Sequence, residues 1–186
     1  MKLAALLLLL PLVACGGASE YEKVTTSWTR KAGMRERYQE ALTVHVTYKS
    51  LQWREAFARK NAEDRGLEGA ALDAQLAQRK ADDAGPLEFQ MIVTTWDRRE
   101  NDLDRGKKSV WRVRLLDDTG MEVEPLEIVR DKRPDYIISA EFPKMNNFAK
   151  AYVARFPRDK ITDLSKLRMH MSSPRGGVRL IWGAGT

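Results

Sequence analysis

The chain has 186 residues, 32 Lys and Arg against 26 Asp and Glu, a formal charge of +6, and one cysteine. That length suits one domain of ordinary size and can bury a core without covalent staples. A lone cysteine excludes an intrachain disulfide, an iron–sulfur cluster and a thiolate zinc site, which all need more than one thiol. The basic excess is dispersed: Asp131 interrupts Arg130, Lys132 and Arg133, and Arg98-Arg99 sits between Asp97 and Glu100. A nucleic-acid binder gathers its base on one face, so no nucleic-acid partner is expected.

Met1 and Lys2 precede an unbroken apolar run over 3–10. They match the positive n-region and apolar h-region of a secretory signal. The run is too short for a transmembrane helix, which needs about 20 apolar residues, and no other stretch comes closer. Next comes Leu12-Val13-Ala14-Cys15-Gly16, which resembles the lipobox of bacterial lipoproteins with a type II signal peptide. The resemblance implies cleavage before Cys15, diacylglycerol on its sulfur and a further acyl chain such as palmitate on its amino group. The n-region departs from the family in being very short. Residues 1–14 are then signal peptide, 15–20 a lipidated tether, and 21–186 one folded domain. Two or three chains, at about 0.8 kcal/mol per buried methylene, hold a membrane stably where one does not. In that family an Asp after the cysteine often marks inner-membrane retention. Gly16 therefore points to the cell envelope at the outer membrane.

Val24, Thr26 and Trp28 alternate with other residues and predict a short first strand. Residues 38–49 form the clearest strand. Leu42, Val44, Val46 and Tyr48 fall on one face, and Thr43, His45, Thr47 and Lys49 on the other, the period-two pattern of a half-buried antiparallel strand. Residues 51–83 contain no Pro, Val or Ile and are rich in good helix formers. Opposite charges stand four apart at Glu55/Arg59 and Lys60/Asp64, where they can pair along a helix. Gly66 and Gly69 divide the stretch into helices at 51–65 and 68–82, an inserted helical hairpin. Trp53, Ala56 and Phe57 would pack from the first, and Leu72 and Leu76 from the second.

After Gly85-Pro86, residues 89–96 read as a strand and 97–109 as a charged loop. Residues 110–116 read as a strand with Trp111, Val113 and Leu115 inward. Gly120 closes a turn that needs a positive φ, and 121–129 returns, with Pro125 marking a bulge or edge. Strands at 136–142 and 148–156, each followed by proline, and a pair at 167–171 and 178–182 complete the series. The matching ends Phe142-Pro143 and Phe156-Pro157 read as neighbouring strands stopped by proline rather than as an internal repeat. Seven to nine short strands with turns between them predict a mainly β chain, an antiparallel β-sandwich of immunoglobulin-like architecture without its cysteine pair. Trp111, Val113, Leu115, Pro125, Ile128, Phe142-Pro143 and Phe156-Pro157 resemble a pattern in uncharacterised envelope lipoproteins. That resemblance carries no activity.

Candidate chemistry is sparse. Of two histidines, His45 falls on a polar strand face, expected to be solvated, and His170 lies between Met169 and Met171. Neither has a second ligand at the spacing zinc requires. There is no Gly-x-Ser-x-Gly turn for the Ser172-Ser173 and His170 neighbourhood to complete, and no glycine-rich phosphate loop. The 100–106 loop departs from an EF-hand, with Arg105 where glycine belongs and Trp111 where the bidentate glutamate belongs. The five tryptophans read mainly as core. No catalytic residue, cofactor or metal site is expected. The reading is a non-catalytic, membrane-anchored binding or assembly module, held by lipid on Cys15. Its partner would be an envelope protein or peptidoglycan, met by the helical hairpin or the 97–109 loop. Two alternatives stay open. One is a cell-wall glycan hydrolase using a carboxylate pair whose separation sequence does not give. The other is a pilotin-like accessory subunit, marked by a large exposed apolar patch.

Overall fold

The computed structural model describes residues 18–183 except 37, 118 and 162. Cys15 and the segment before it lie outside the described residues. The described chain is mixed α and β, with nine strands in two antiparallel sheets. The expectation of a mainly β chain is therefore corrected: two segments read as strands are helices.

The first is α1, Glu20–Trp28, where alternation had predicted a strand. Ser19 caps it: its Oγ accepts from the Glu22 amide at 3.2 Å, and the Glu22 carboxylate accepts from the Ser19 amide at 2.7 Å. This reciprocal capping box satisfies two donors that a helix start leaves free. Tyr21, Val24 and Thr25 are buried at helical spacing, a period the period-two reading overlooked. The second is α4, Asp135–Glu141. The Pro134 carbonyl accepts from the amides of Ile137 and Ile138. Ile138 and Phe142, four apart, are buried together, while Tyr136 is exposed. The Phe142-Pro143 end thus closes a helix and Phe156-Pro157 a strand, so the likeness between them is not structural.

The larger sheet has the order β1 (Thr29–Glu36), β2 (Gln39–Tyr48), β3 (Leu87–Thr95), β7 (Lys150–Phe156), β6 (Glu127–Arg130). The smaller has the order β5 (Glu122–Val123), β4 (Arg112–Leu116), β8 (Arg168–Ser173), β9 (Gly176–Ile181). The strand expected over 121–129 is broken at Glu124-Pro125, and its halves join different sheets. Proline cannot donate to a ladder, so pairing stops there. The chain resumes when the Leu126 amide reaches the Arg155 carbonyl at 2.8 Å.

One face of each sheet enters a shared core. Val44, Val46, Phe89, Met91, Tyr152 and Phe156 from the larger sheet lie in one cluster with Val113, Leu115, Met169, Met171 and Leu180 from the smaller. Trp182 packs 5.5 Å from Phe89, ring centre to ring centre, and its indole N–H donates to the Trp28 carbonyl. That bond ties the end of β9 to the start of β1.

Helices cover part of the opposite face of the larger sheet. The hairpin forms as the sequence predicts, with α2 at Leu51–Arg65 and α3 at Ala70–Asp83. Gly66 holds the left-handed conformation (φ 62°) that ends α2, a state that only glycine adopts without strain. Trp53 is buried and stacks between Phe57 and Phe142. These residues join Tyr21, Val24, Ile92 and Ile138 in a second cluster. α3 has no fully buried residue, and Leu72 and Leu76 are half-buried.

Candidate functional site

The outer face of the larger sheet can be read in rungs across β1, β2, β3 and β7. Lys49, Glu88 and Arg155 make an ionic end, and Thr29, Thr47 and Gln90 form the next rung. Lys31, His45 and Ile92 come next, followed by Gly33, Thr43 and Thr94. α1 and the end of α4 stand over the second and third of these rungs. Between the helices and the sheet they leave a groove of about 520 Å³, within the range of small-molecule sites.

The groove changes character along its length. Under α1 it is lined with hydroxyls. Thr29 Oγ1 lies 2.6 Å from the Thr25 carbonyl and 2.7 Å from Thr47 Oγ1. Thr25 Oγ1 accepts from the Trp53 indole at 3.1 Å, and the Tyr21 hydroxyl donates to the Glu141 carbonyl at 2.9 Å. Ile92, Phe142 and Pro143 supply apolar walls. Lys31 and Lys144 stand at the end where His45 faces the groove. Burial, then Lys31 and Lys144, hold the His45 imidazole below its ordinary pKa. The expectation of a solvated His45 is corrected, since the side chain is half-buried under the α1 layer.

A smaller recess of about 250 Å³ lies at the ionic end, between α2 and the sheet. Its charges are paired. Lys49 Nζ is 2.6 Å from Glu88, Arg155 bridges Glu88 and Glu127, and Arg133 bridges Asp131 and Glu141, each at 2.7 Å. Burial raises the Glu88 carboxyl, but Lys49 and Arg155 outweigh it and the net displacement is downward. Asp131 behaves alike, with Arg133 outweighing burial. A hydrogen bond from Arg99 holds Asp97 down at about 2. All three are fixed as carboxylates, whereas a glycosidase acid needs a raised pKa.

The structure separates the other candidates. His45 lies on the larger sheet and His170 on the smaller. In the 97–109 segment Glu100 pairs with Arg175, while Asp102 is buried and accepts from Ser109 at 2.8 Å. The segment is two 3₁₀ turns anchored by buried Asn101, Asp102, Leu103 and Ser109, with Arg98, Arg99 and residues 104–108 exposed. Asn101 donates to the Val93 carbonyl and accepts from Tyr152, and the Trp111 indole donates to the Glu100 carbonyl. Among the described residues no group of three or more His, Cys, Asp or Glu could hold a metal ion, and no helix is long and apolar enough to cross a membrane. Of the tryptophans, Trp53, Trp111 and Trp182 are buried and Trp28 half-buried. Trp96 is the exception to that mainly inward set: it stands exposed just past the end of β3.

Sequence reading missed the groove. Lys31 lies in a strand it did not assign, and Lys144 follows a helix it read as a strand. The available signal was the Ser19-x-x-Glu22 capping box. Comparison of the chain with protein-family models, with curated proteins and with solved structures finds no significant match.

Proposed function

We propose that the chain is a lipid-anchored envelope protein that acts as a non-catalytic binding module, and that the groove under α1 is its binding site. The groove itself carries the reading. It combines apolar walls at Ile92 and Phe142 with basic groups at one end, Lys31 and Lys144, which suits a ligand with an apolar body and an anionic end. Cys15 lies four residue steps before Ser19, a reach of at most about 14 Å. Lipid on Cys15 would therefore hold the groove close to a bilayer. The paired carboxylates weigh against glycan hydrolysis. The architecture we propose is a β-sandwich backed by helices. The core shared by the two sheets supports it, while the immunoglobulin-like label rests on strand number alone.

Two measurements test this. Intact mass and membrane fractionation should show acylated wild type in the membrane and a soluble Cys15→Ser variant. An unmodified, soluble wild type would remove the anchor. Anilinonaphthalene sulfonate, an apolar ring system with an anionic group, should bind the folded protein. Affinity should fall at least tenfold in the Lys31→Glu/Lys144→Glu double variant. Equal affinity in both would remove the groove as the site.

A further inference from the structure

Of the four aromatic residues among the exposed large hydrophobics, Tyr136 lies on α4 and the other three stand at one end of the larger sheet. Tyr38, fully exposed, lies in the turn between β1 and β2. Trp96 is 67% exposed just past the end of β3, where its amide reaches the Ala41 carbonyl. Phe148 is 70% exposed two residues before Lys150, which pairs with Val93 near that same end of β3. Strand register therefore gathers all three at the tips of adjacent strands rather than on a flat face.

Charge at this end favours an anionic surface. Its acids are engaged: Glu36 and Glu100 with Arg175, Asp97 with Arg99, and Glu40 with the Thr43 hydroxyl. Exposed Arg35 near the end of β1, Arg98 two residues after Trp96, and Lys144 four residues before Phe148 lie at the same end. The start of the folded chain lies nearby, since Ser19 lines the same groove as Lys144, four residues before Phe148.

We infer that this end of the sheet is a membrane contact, with Trp96 and Phe148 seated at headgroup level and the basic side chains against anionic lipid. The inference rests on the proposed lipid anchor at Cys15, whose short tether brings this end within reach of a bilayer. Tryptophan and tyrosine favour that interface because their rings are apolar with a polar edge, and basic residues add attraction to anionic headgroups. A protein partner would more naturally meet a continuous apolar face than three separated tips.

Tryptophan emission tests the inference. The full chain is produced in a bacterial host, and the recovered form is weighed for lipid. It is then placed in phosphatidylethanolamine–phosphatidylglycerol vesicles with bromine on the acyl carbons nearest the headgroup. Bromine quenches only a tryptophan that reaches it, and Trp96 is the one exposed tryptophan of five. The expected result is partial quenching relative to unbrominated vesicles, abolished by Trp96→Phe. If the mass shows lipid but emission is the same in both vesicles, or Trp96→Phe leaves the quenching intact, the contact is overturned and the anchor stands. If the mass shows no lipid, the anchor fails. Trp96-dependent quenching of that unlipidated chain would then keep the contact, and its absence would overturn both.

Discussion

Trp53 joins three of the elements that back the larger sheet, so its removal measures how firmly that layer is attached. Its ring stacks on Phe57 at 5.3 Å and on Phe142 at 5.6 Å, and Tyr21 lies tilted at 5.9 Å. Its indole donates to Thr25. Truncating a buried tryptophan to alanine costs about 3–5 kcal/mol. That figure already contains much of the stacking, worth about 0.5–1.5 kcal/mol per pair, and of the hydrogen bond, worth about 1 kcal/mol. The three are therefore not summed, and about 4 kcal/mol is expected for Trp53→Ala. With a urea dependence of about 2 kcal/mol per molar, the midpoint should fall by about 2 M. Trp53→Phe keeps a ring but loses the indole N–H, so it should cost about 1–2 kcal/mol. Equilibrium urea unfolding followed by far-ultraviolet circular dichroism measures both. A loss below about 1 kcal/mol for Trp53→Ala would show that α1, α2 and α4 are not bound to the sheet through this residue, and the groove would lose its roof.

Two further perturbations probe the fixed polar groups. Asn101→Ala removes a buried amide that donates to the Val93 carbonyl at 2.7 Å and accepts from Tyr152 at 2.9 Å. It should cost about 2–3 kcal/mol in urea unfolding, and a neutral result would return 97–109 to the status of a loose loop. The folded-state pKa of Glu88 is depressed, so its pairing stabilises the protein above the ordinary glutamate range and the benefit disappears as pH falls through the folded value. Glu88→Gln should therefore lower the urea midpoint at pH 7 while leaving it nearly unchanged at pH 2. An equal loss at both would refute the ionic account.

What the sequence disclosed, and what it hid, follow one physical division. Strands packed on one side showed themselves: β2 alternates because its Val44/Val46 face is core and its Thr43/His45 face is not. The α2–α3 hairpin was legible through helix propensity and its glycines. α4 was misread because it is short and carries apolar residues two apart as well as four apart, and α1 because Val24, Thr26 and Trp28 alternate and masked the three-and-four spacing of Tyr21, Val24 and Trp28. Caps break the tie at that length, and Ser19 and Pro134 are those caps. The groove depends on α1 being a helix, so missing one cap concealed the site. The split at Pro125 was half visible, since proline announced an interruption but not a crossing between sheets.

His45 offers a direct report on the groove. Its depressed pKa has three causes that can be separated: burial under the helical layer, Lys31 and Lys144. Burial disfavours the charged ring, and each lysine repels it. A folded value below the unfolded 6.5 means the unfolded chain binds the proton more readily. This contribution is therefore full above about pH 6.5 and is lost as pH falls through the folded value. Lys144→Ala removes one repulsion and should raise the His45 pKa, read from imidazole proton shifts. An anion in the groove should do the same by offsetting the lysines, so anilinonaphthalene sulfonate and Lys144→Ala should shift His45 in the same direction. A His45 that titrates at its ordinary value in the wild type, or that ignores both perturbations, would place Lys31, Lys144 and the imidazole too far apart to share one ligand.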